Sequence, residues 1–297
     1  MLGWHERTWW SRKRRSIDNQ YSRIRLCICT RRGFWSYEIF NGGVWMSEVI
    51  VEFRGVYKSF GSNIIYEDLN LTIFRGETIC IIGGSGTGKS VMMKMLVGLL
   101  RPDRGEIFAF GREISQLSEK EMQDVRRNVA MLFQGGALFD SLTVAENIKY
   151  PLIEHKWGTT KEQDERVEEV LRQVGLPNIS HQKPSELSGG MRKRVALARS
   201  IAIKPKMLLY DEPTTGLDPL SIRRINGLIL QLQKELSVTS MVVTHEMPSV
   251  FTIADRIAMV RDQHIAFVGD KEEAKNSTHE WLQQFISGGE GVLEEEF

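Results

Sequence analysis

The chain has 297 residues, of which 41% are hydrophobic and 26% charged, with a formal net charge of +1. This is the make-up of a soluble globular protein, one large domain or a domain with an inserted lobe. No stretch approaches the roughly 20 apolar residues of a membrane-spanning helix, so any membrane crossing has to come from other chains. The three cysteines, Cys27, Cys29 and Cys80, do not make a disulfide framework. Cys27 and Cys29 are half of a metal site without a second pair. A reducing compartment is expected.

The balanced charge conceals an uneven one. Residues 1–45 carry nine Lys or Arg against three acids, and five of the seven tryptophans: Trp4, Trp9, Trp10, Trp35 and Trp45. The segment shows no sustained helix or strand period. A transit peptide has this Arg-rich, acid-poor composition, and so does an arm that binds nucleic acid or a membrane. The favoured alternative is translation from Met46, which opens directly onto a strand pattern. The Asn-Gly-Gly upstream of it can be encoded by a ribosome-binding sequence. Residues 1–45 are thus expected to be a disordered extension or no part of the protein.

From "VIVEFRGVYKSF" to "DLNLTIF" and "TICIIGG" the chain alternates as antiparallel strands do. Cys80 falls in the last of these and reads as a small buried hydrophobe. "IIGGSGTGKSVMMKMLVGLL" is an apolar strand, a glycine loop and a helix, with Met92, Met93, Met95 and Leu96 as core. "RPDRGEIFAFG" is a turn and strand. Ser118 with Glu121 is a capping-box start for a short helix, and "NVAMLFQ" is another strand. Residues 135–185 show helical periods, notably "TKEQDERVEEVLRQVGL", and read as an inserted helical lobe. Strands return with "PKMLLYDEP", "VTSMVVTHE" and "RIAMVRDQHIAFVG". This alternation implies an α/β fold with a mostly parallel sheet covered on both faces. Residues 281–297 read as a tail, with "GGEGVLEEEF" a solvated end.

Two stretches carry chemistry. Gly83-Gly84-Ser85-Gly86-Thr87-Gly88-Lys89-Ser90 matches the phosphate-loop pattern between a strand and a helix. Its glycines let backbone N–H groups wrap a phosphate chain, and the helix start adds its positive dipole end. Lys89 would reach the β- and γ-phosphates of ATP, and the Ser90 hydroxyl would ligate Mg²⁺. "MLLYDEP" then places two acids at the end of a buried strand, where ligands collect in open α/β sheets. Asp211 would hold Mg²⁺, and Glu212 would orient and deprotonate the attacking water. Alone, this acid pair is as easily structural as functional; the loop upstream decides for function.

The order of phosphate loop, "LFQ", "LSGGM", "YDEP", "GLD" and "VVTHE" resembles the ATP-binding subunit of ABC transporters over about residues 48–270. The resemblance implies a P-loop NTPase core with an antiparallel β subdomain and a helical lobe, over residues 46–280. It further implies a homodimer that sandwiches two ATP molecules, with Ser188, Gly189 and Gly190 of one chain closing on nucleotide held by the other. By the same resemblance Phe60 stacks on adenine, although a core Phe at a strand end is the alternative. Gln134 senses Mg²⁺ and the attacking water, Asp218 crosses the dimer interface, and His245 contacts the γ-phosphate. Arg192, Lys193 and Arg194 could be taken for a nucleic-acid patch. A solvated helix face lining the interface is the expectation, with Val195, Leu197 and Ala198 on its buried side, and no nucleic-acid partner is expected.

Met191 stands where many ABC ATPases carry Gln. With "MLFQGGALFDSLTVAENI", "GGSGTGKSV" and "QQFISGG" it resembles the lipid-trafficking subgroup that works with mammalian-cell-entry-type proteins. That resemblance implies a membrane permease, a mammalian-cell-entry-type lipid-binding protein and a small cytosolic regulatory subunit as partners. The implied cargo is phospholipid moved between inner and outer membranes, from the cytoplasmic face of the inner membrane. An importer or exporter of another solute, or a soluble ABC ATPase, is the alternative; the soluble kind would carry a long coiled-coil insertion or a second ATP domain.

Overall fold

The computed structural model describes residues 24–30, 33–40 and 43–288. The expectations for residues 1–23 and for the tail beyond 288 lie outside the described residues. In chain order the elements begin with strands β1 (Ile24–Thr30), β2 (Gly33–Phe40), β3 (Gly43–Phe60), β4 (Asn63–Phe74) and β5 (Thr78–Ile82). Helix α1 (Lys89–Leu96), β6 (Arg104–Ala109), β7 (Arg112–Glu113), α2 (Glu119–Asn128) and β8 (Val129–Leu132) follow. Three helices, α3 (Val144–Glu154), α4 (Thr160–Gln173) and α5 (Gly189–Ile201), make the helical lobe and its base. The chain then alternates through β9 (Met207–Asp211), α6 (Pro219–Leu236), β10 (Thr239–Val243), α7 (Met247–Ile253) and β11 (Arg256–Arg261). It ends in β12 (His264–Asp270), α8 (Lys271–Lys275) and α9 (Glu280–Ile286).

Two sheets result. One runs β12-β11-β5-β10-β9-β8, parallel except for β12, which folds back antiparallel on β11. The other is antiparallel: β3 pairs with β4 and β6 along most of its length and with β2 at its start. β5 therefore departs from the antiparallel reading of its stretch and lies parallel between β10 and β11. All five of its residues are buried, as a strand covered on both faces requires.

Successive side chains of the parallel strands point to opposite faces. Ile79, Ile81, Leu209, Val243 and Ala258 join a core with Phe53, Val56, Ile73, Met92, Met93 and Leu96. Cys80, Ile82, Leu208, Tyr210, Val242 and Ile257 join the core of α3 to α7, with Ile148, Val170 and Leu197. Helices alone cover only the second face; the antiparallel sheet, with α1 and α2, covers the first.

Two boundaries move. β1 and β2 pair antiparallel before Met46, with Ile24 opposite Ile39 and Thr30 opposite Gly33. "IRLCICT" and "GFWSYEIF" are rich in the β-branched and aromatic residues that favour strands, a signal masked by the Arg-rich flanks. At the other end, α9 buries Leu282 in the second core, so the folded domain passes residue 280. The expected capping box is present, Ser118 accepting from Glu121 N–H at the start of α2.

One buried cation ties the lobe to the sheet-bearing body. Arg166 on α4 is 2% exposed. Its Nη2 and Nε donate to the carbonyls of Ile201 and Ala202 at 2.8 and 3.0 Å, and Nη1 meets Glu169 at 2.8 Å. These carbonyls belong to the C-terminal end of α5, where that of Ile201 also accepts from the Lys204 N–H at 3.0 Å, and a cation there complements the helix dipole. Arg166→Ala is expected to cost about 2–3 kcal/mol, the worth of charge-assisted hydrogen bonds lost from a buried site. The denaturant midpoint of unfolding measures it; a midpoint unchanged from the parent chain would deny the clamp.

Candidate active site

The phosphate loop leaves the buried end of β5 and enters α1. A Cβ at Gly83, φ 147°, would lie 2.5 Å from the Val260 carbonyl oxygen, and one at Gly88, φ 96°, 2.4 Å from Ile65 Cγ2. Only glycine fits these two corners. Tyr66 secures the second: its buried hydroxyl donates to the Gly88 carbonyl at 2.7 Å. Thr87 Oγ1 donates to the Gly84 carbonyl at 3.0 Å and closes the loop on itself.

Lys89 is buried at the start of α1, and its ammonium donates to the carbonyls of Gly83 and Gly84 at 2.8 and 2.6 Å. Burial pulls its pKa below the usual lysine range, and Glu212 and Asp211 oppose that shift. Ser90 Oγ donates to Asp211 Oδ1 at 3.0 Å. The two strand-end acids are held apart by the backbone. Glu212 takes a left-handed φ of 50° while its N–H donates to the Val243 carbonyl at 2.9 Å. Its carboxylate thereby meets different partners, Thr215 Oγ1 at 2.9 Å and His245 Nδ1 at 3.0 Å. A carboxylate only accepts, so the second contact puts a proton on Nδ1.

These groups line one cleft of about 580 Å³, formed by Gly83, Ser85, Gly86, Gly88, Lys89, Ser90, Gln134, Asp211, Glu212 and His245 with Ile65 and Val91. The structure thus brings together the phosphate loop, both acids, Gln134 and His245 from four separate parts of the sequence. A basic loop facing two carboxylates can hold a phosphate chain, and the hydroxyl and carboxylate oxygens of Ser90 and Asp211 are hard ligands of the kind Mg²⁺ takes.

Other expected residues lie outside this cleft. Phe60, at the end of β3, is 47% exposed and belongs to neither core, so the alternative of a buried strand-end Phe does not hold. The Lys58 ammonium sits 5.2 Å from its ring centroid. Ser188 caps α5, its Oγ accepting from Met191 N–H at 3.3 Å, with Gly189 and Gly190 as the first helical residues. Asp218 caps α6, accepting from the N–H groups of Leu220 and Ser221 at 3.0 Å. Hydrogen bonding from Ser221 holds its carboxyl below the usual carboxylate range.

The basic run after the glycines is only in part a solvated face: Arg192 is exposed and Arg194 half-buried, but Lys193 is buried. Lys193 is 8% exposed, and its ammonium donates to the Thr215 carbonyl at 2.6 Å and to that of Glu212 at 3.4 Å. Arg192 donates to the Leu187 carbonyl, and Arg194 to those of Val174 and Gly175. Further along α5, Arg199 donates to the carbonyls of Gly136 and Ala137, just past Gln134. The sequence reading missed Tyr66, Lys193 and Arg199. No local pattern could have found them, because each acts on a backbone carbonyl at least 19 residues away in sequence.

Comparison with known proteins agrees with this geometry. The family model described as "ABC transporter" matches residues 66–215. A mycobacterial protein, the probable ribonucleotide transport ATP-binding protein mkl of Mycobacterium tuberculosis, is 40% identical over 240 residues, 81% of this chain and 67% of the relative. The intermembrane phospholipid transport system ATP-binding protein MlaF of Haemophilus influenzae is 38% identical over 243 residues, covering 82% of this chain and 92% of the relative. Among solved structures, the dimeric ATP-binding cassette MJ0796 bound to ADP and Pi superposes with a TM-score of 0.69. It is 32% identical, covering 74% of this chain and 98% of that one. With the phosphate loop and the strand-end acids in one cleft, the chain belongs to the ABC transporter family, as an ATP-hydrolysing cassette.

Proposed function

We propose that this chain is the ATPase subunit of a transporter that moves phospholipids between two membranes. It works as a homodimer on the cytoplasmic face of the inner membrane, against permease subunits that supply the crossing. No helix among the described residues is long and apolar enough to cross a membrane. A mammalian-cell-entry-type lipid-binding protein and a small cytosolic subunit complete the proposed assembly. The observation that carries the ATPase part is the single cleft joining Lys89, Ser90, Asp211, Glu212 and His245. The cargo rests on the phospholipid-transport relative, 92% of whose length this chain spans against 67% for the ribonucleotide-named one. Met191 after the signature glycines supports the same subgroup.

In the proposed reaction the loop N–H groups and Lys89 hold the β- and γ-phosphates, and Phe60 stacks on the adenine. Lys89 gives up its contacts with the Gly83 and Gly84 carbonyls to do so. Ser90, Asp211 and Gln134 would hold Mg²⁺, which when bound spreads the phosphate charge. Glu212 takes a proton from water as the water oxygen adds to the γ-phosphorus. The bond to the bridging oxygen breaks, and ADP and phosphate leave. His245, fixed through Nδ1 by Glu212, presents its other ring nitrogen to the γ-phosphate. Ser188, Gly189 and Gly190 stand at the start of a 13-residue helix, where a partner chain's nucleotide would meet N–H groups and a positive dipole end. Asp218 would lie along the interface. Phe139, Tyr150 and Ile153 are exposed on and beside α3, an apolar surface suited to a permease segment.

Glu212→Gln is expected to keep ATP affinity, hold a closed dimer and lose about 10²–10⁴-fold in turnover, the usual worth of a general base. Multiple-turnover hydrolysis near the parent rate would remove Glu212 from that role. Lys89→Ala is expected to weaken ATP binding by about tenfold or more, the scale of one charge-assisted contact to phosphate. Unchanged affinity in a nucleotide-binding titration would count against the loop assignment. Affinity purification from detergent-solubilised membranes, with mass spectrometry of proteins and lipids, tests the cargo. A permease with a lipid-binding chain carrying phospholipid is expected; a permease without lipid would discard the cargo and keep the ATPase.

A further inference from the structure

The cations of α5 are aimed at backbone rather than at acids. Arg199 holds the carbonyls just past Gln134, Arg194 those at the end of α4, and Lys193 those of the turn that follows β9. That turn carries Glu212. It is short and internally bonded, with Thr215 N–H donating to the Glu212 carbonyl at 3.4 Å and Leu217 N–H to the Thr214 carbonyl at 3.2 Å. Glu212 sits in it with a left-handed backbone that a non-glycine residue does not adopt unless its surroundings hold it.

We propose that Lys193 is a positioning residue for hydrolysis, its ammonium pinning both ends of the Glu212–Thr215 turn to α5 and so aiming the Glu212 carboxylate into the cleft. The proposal rests on Glu212 being the base. One ammonium reaches the carbonyl of Glu212 and that of Thr215, and Thr215 in turn donates its hydroxyl to the Glu212 carboxylate. The path from Lys193 Nζ to the carboxylate is therefore one residue long. Lys193 lines no part of the nucleotide cleft, so its loss acts on the base and not on nucleotide binding. Ser188, which would meet the partner's nucleotide, caps the same helix. A shift of α5 on dimer closure thus moves the base turn of its own chain directly.

The test compares Lys193→Met with Lys193→Arg in the full chain, reading steady-state ATP hydrolysis, affinity for a fluorescent ATP analogue and the melting temperature. The Met variant is expected to lose about tenfold or more in kcat with KM and analogue affinity within about twofold. Arg, which keeps the donors, is expected to return the rate to within about threefold of the parent. Lys193→Gln, whose shorter amide keeps two uncharged N–H donors, carries the comparison if the Met variant does not fold, and its rate should fall between. Added to Glu212→Gln, Lys193→Met is expected to slow turnover no further, since both act through one carboxylate. A parent-like kcat in the Met variant, or a loss of affinity and melting temperature parallel to kcat without rescue by Arg, overturns the proposal. Additive losses in the double variant overturn it too. Glu212→Gln hydrolysing at the parent rate would fail the base assignment and this proposal together; a slow Glu212→Gln beside a fast Lys193→Met fails this proposal alone.

Discussion

The chemistry at the cleft depends on keeping two adjacent carboxylates apart. Asp211 and Glu212 follow one another at the end of a buried apolar strand, where like charges repel and water is scarce. The backbone resolves this by leaving the β conformation between them. Asp211 keeps the strand geometry and points to Ser90, while Glu212 turns to a φ of 50° and points to Thr215 and His245. A left-handed non-glycine residue costs on the order of 1–3 kcal/mol. Here the cost is offset by contacts with three other elements: β10 through the Val243 carbonyl, α5 through Lys193, and the loop after β10 through His245. Strain at Glu212 is thus a consequence of placing two acids with different partners next to each other.

Helix α5 accounts for most of the remaining order around the site. Its apolar face, Val195, Leu197, Ala198 and Ile201, is fully buried against the parallel sheet and the lobe. Its cations reach outward to four carbonyl-bearing segments, and Arg166 satisfies the carbonyls at its far end. A lysine or arginine that finds carbonyl partners on burial offsets part of the desolvation penalty, which still pulls the pKa of Lys193, Arg194 and Arg199 below the ordinary range. The helix is consequently bolted to the Glu212–Thr215 turn, to the segment after Gln134 and to the lobe at once. Displacement at its N-terminus, where Ser188 would meet a partner chain's nucleotide, cannot remain local.

What the sequence made legible follows from the range of each interaction. The phosphate loop could be read because it is local: strand, glycines, Lys89 and Ser90 are contiguous, and each glycine answers a steric demand of its own corner. The core was legible from alternation, since Ile79 and Ile81 face one layer and Cys80 and Ile82 the other. Lys193 was not, because helical spacing says which face a side chain leaves from and nothing about a turn 22 residues ahead that folds over it. The same limit hid Tyr66. β1 and β2 were not legible for another reason: their aromatic and β-branched runs lie among arginines.

Cargo, finally, has no place to be written in this cleft. Its polar lining is the phosphate loop, Gln134, two acids and His245, with only Ile65 and Val91 apolar, and on the proposed reading these address phosphate, water and a cation. On that reading selectivity belongs to the chains that this one drives, and its own contribution is mechanical. Phe139 joins the two tasks: it is exposed beside Tyr150, with ring centroids 4.9 Å apart, while the Arg199 guanidinium lies 5.8 Å from its ring. Asn147, fully buried, binds both the N–H and the carbonyl of Phe139 and sets its position. An apolar contact made there by a permease would bear on Arg199 and hence on the helix that holds the base turn. On the proposed reading, the route from transported lipid to hydrolysed phosphate passes through α5 and not through the nucleotide pocket.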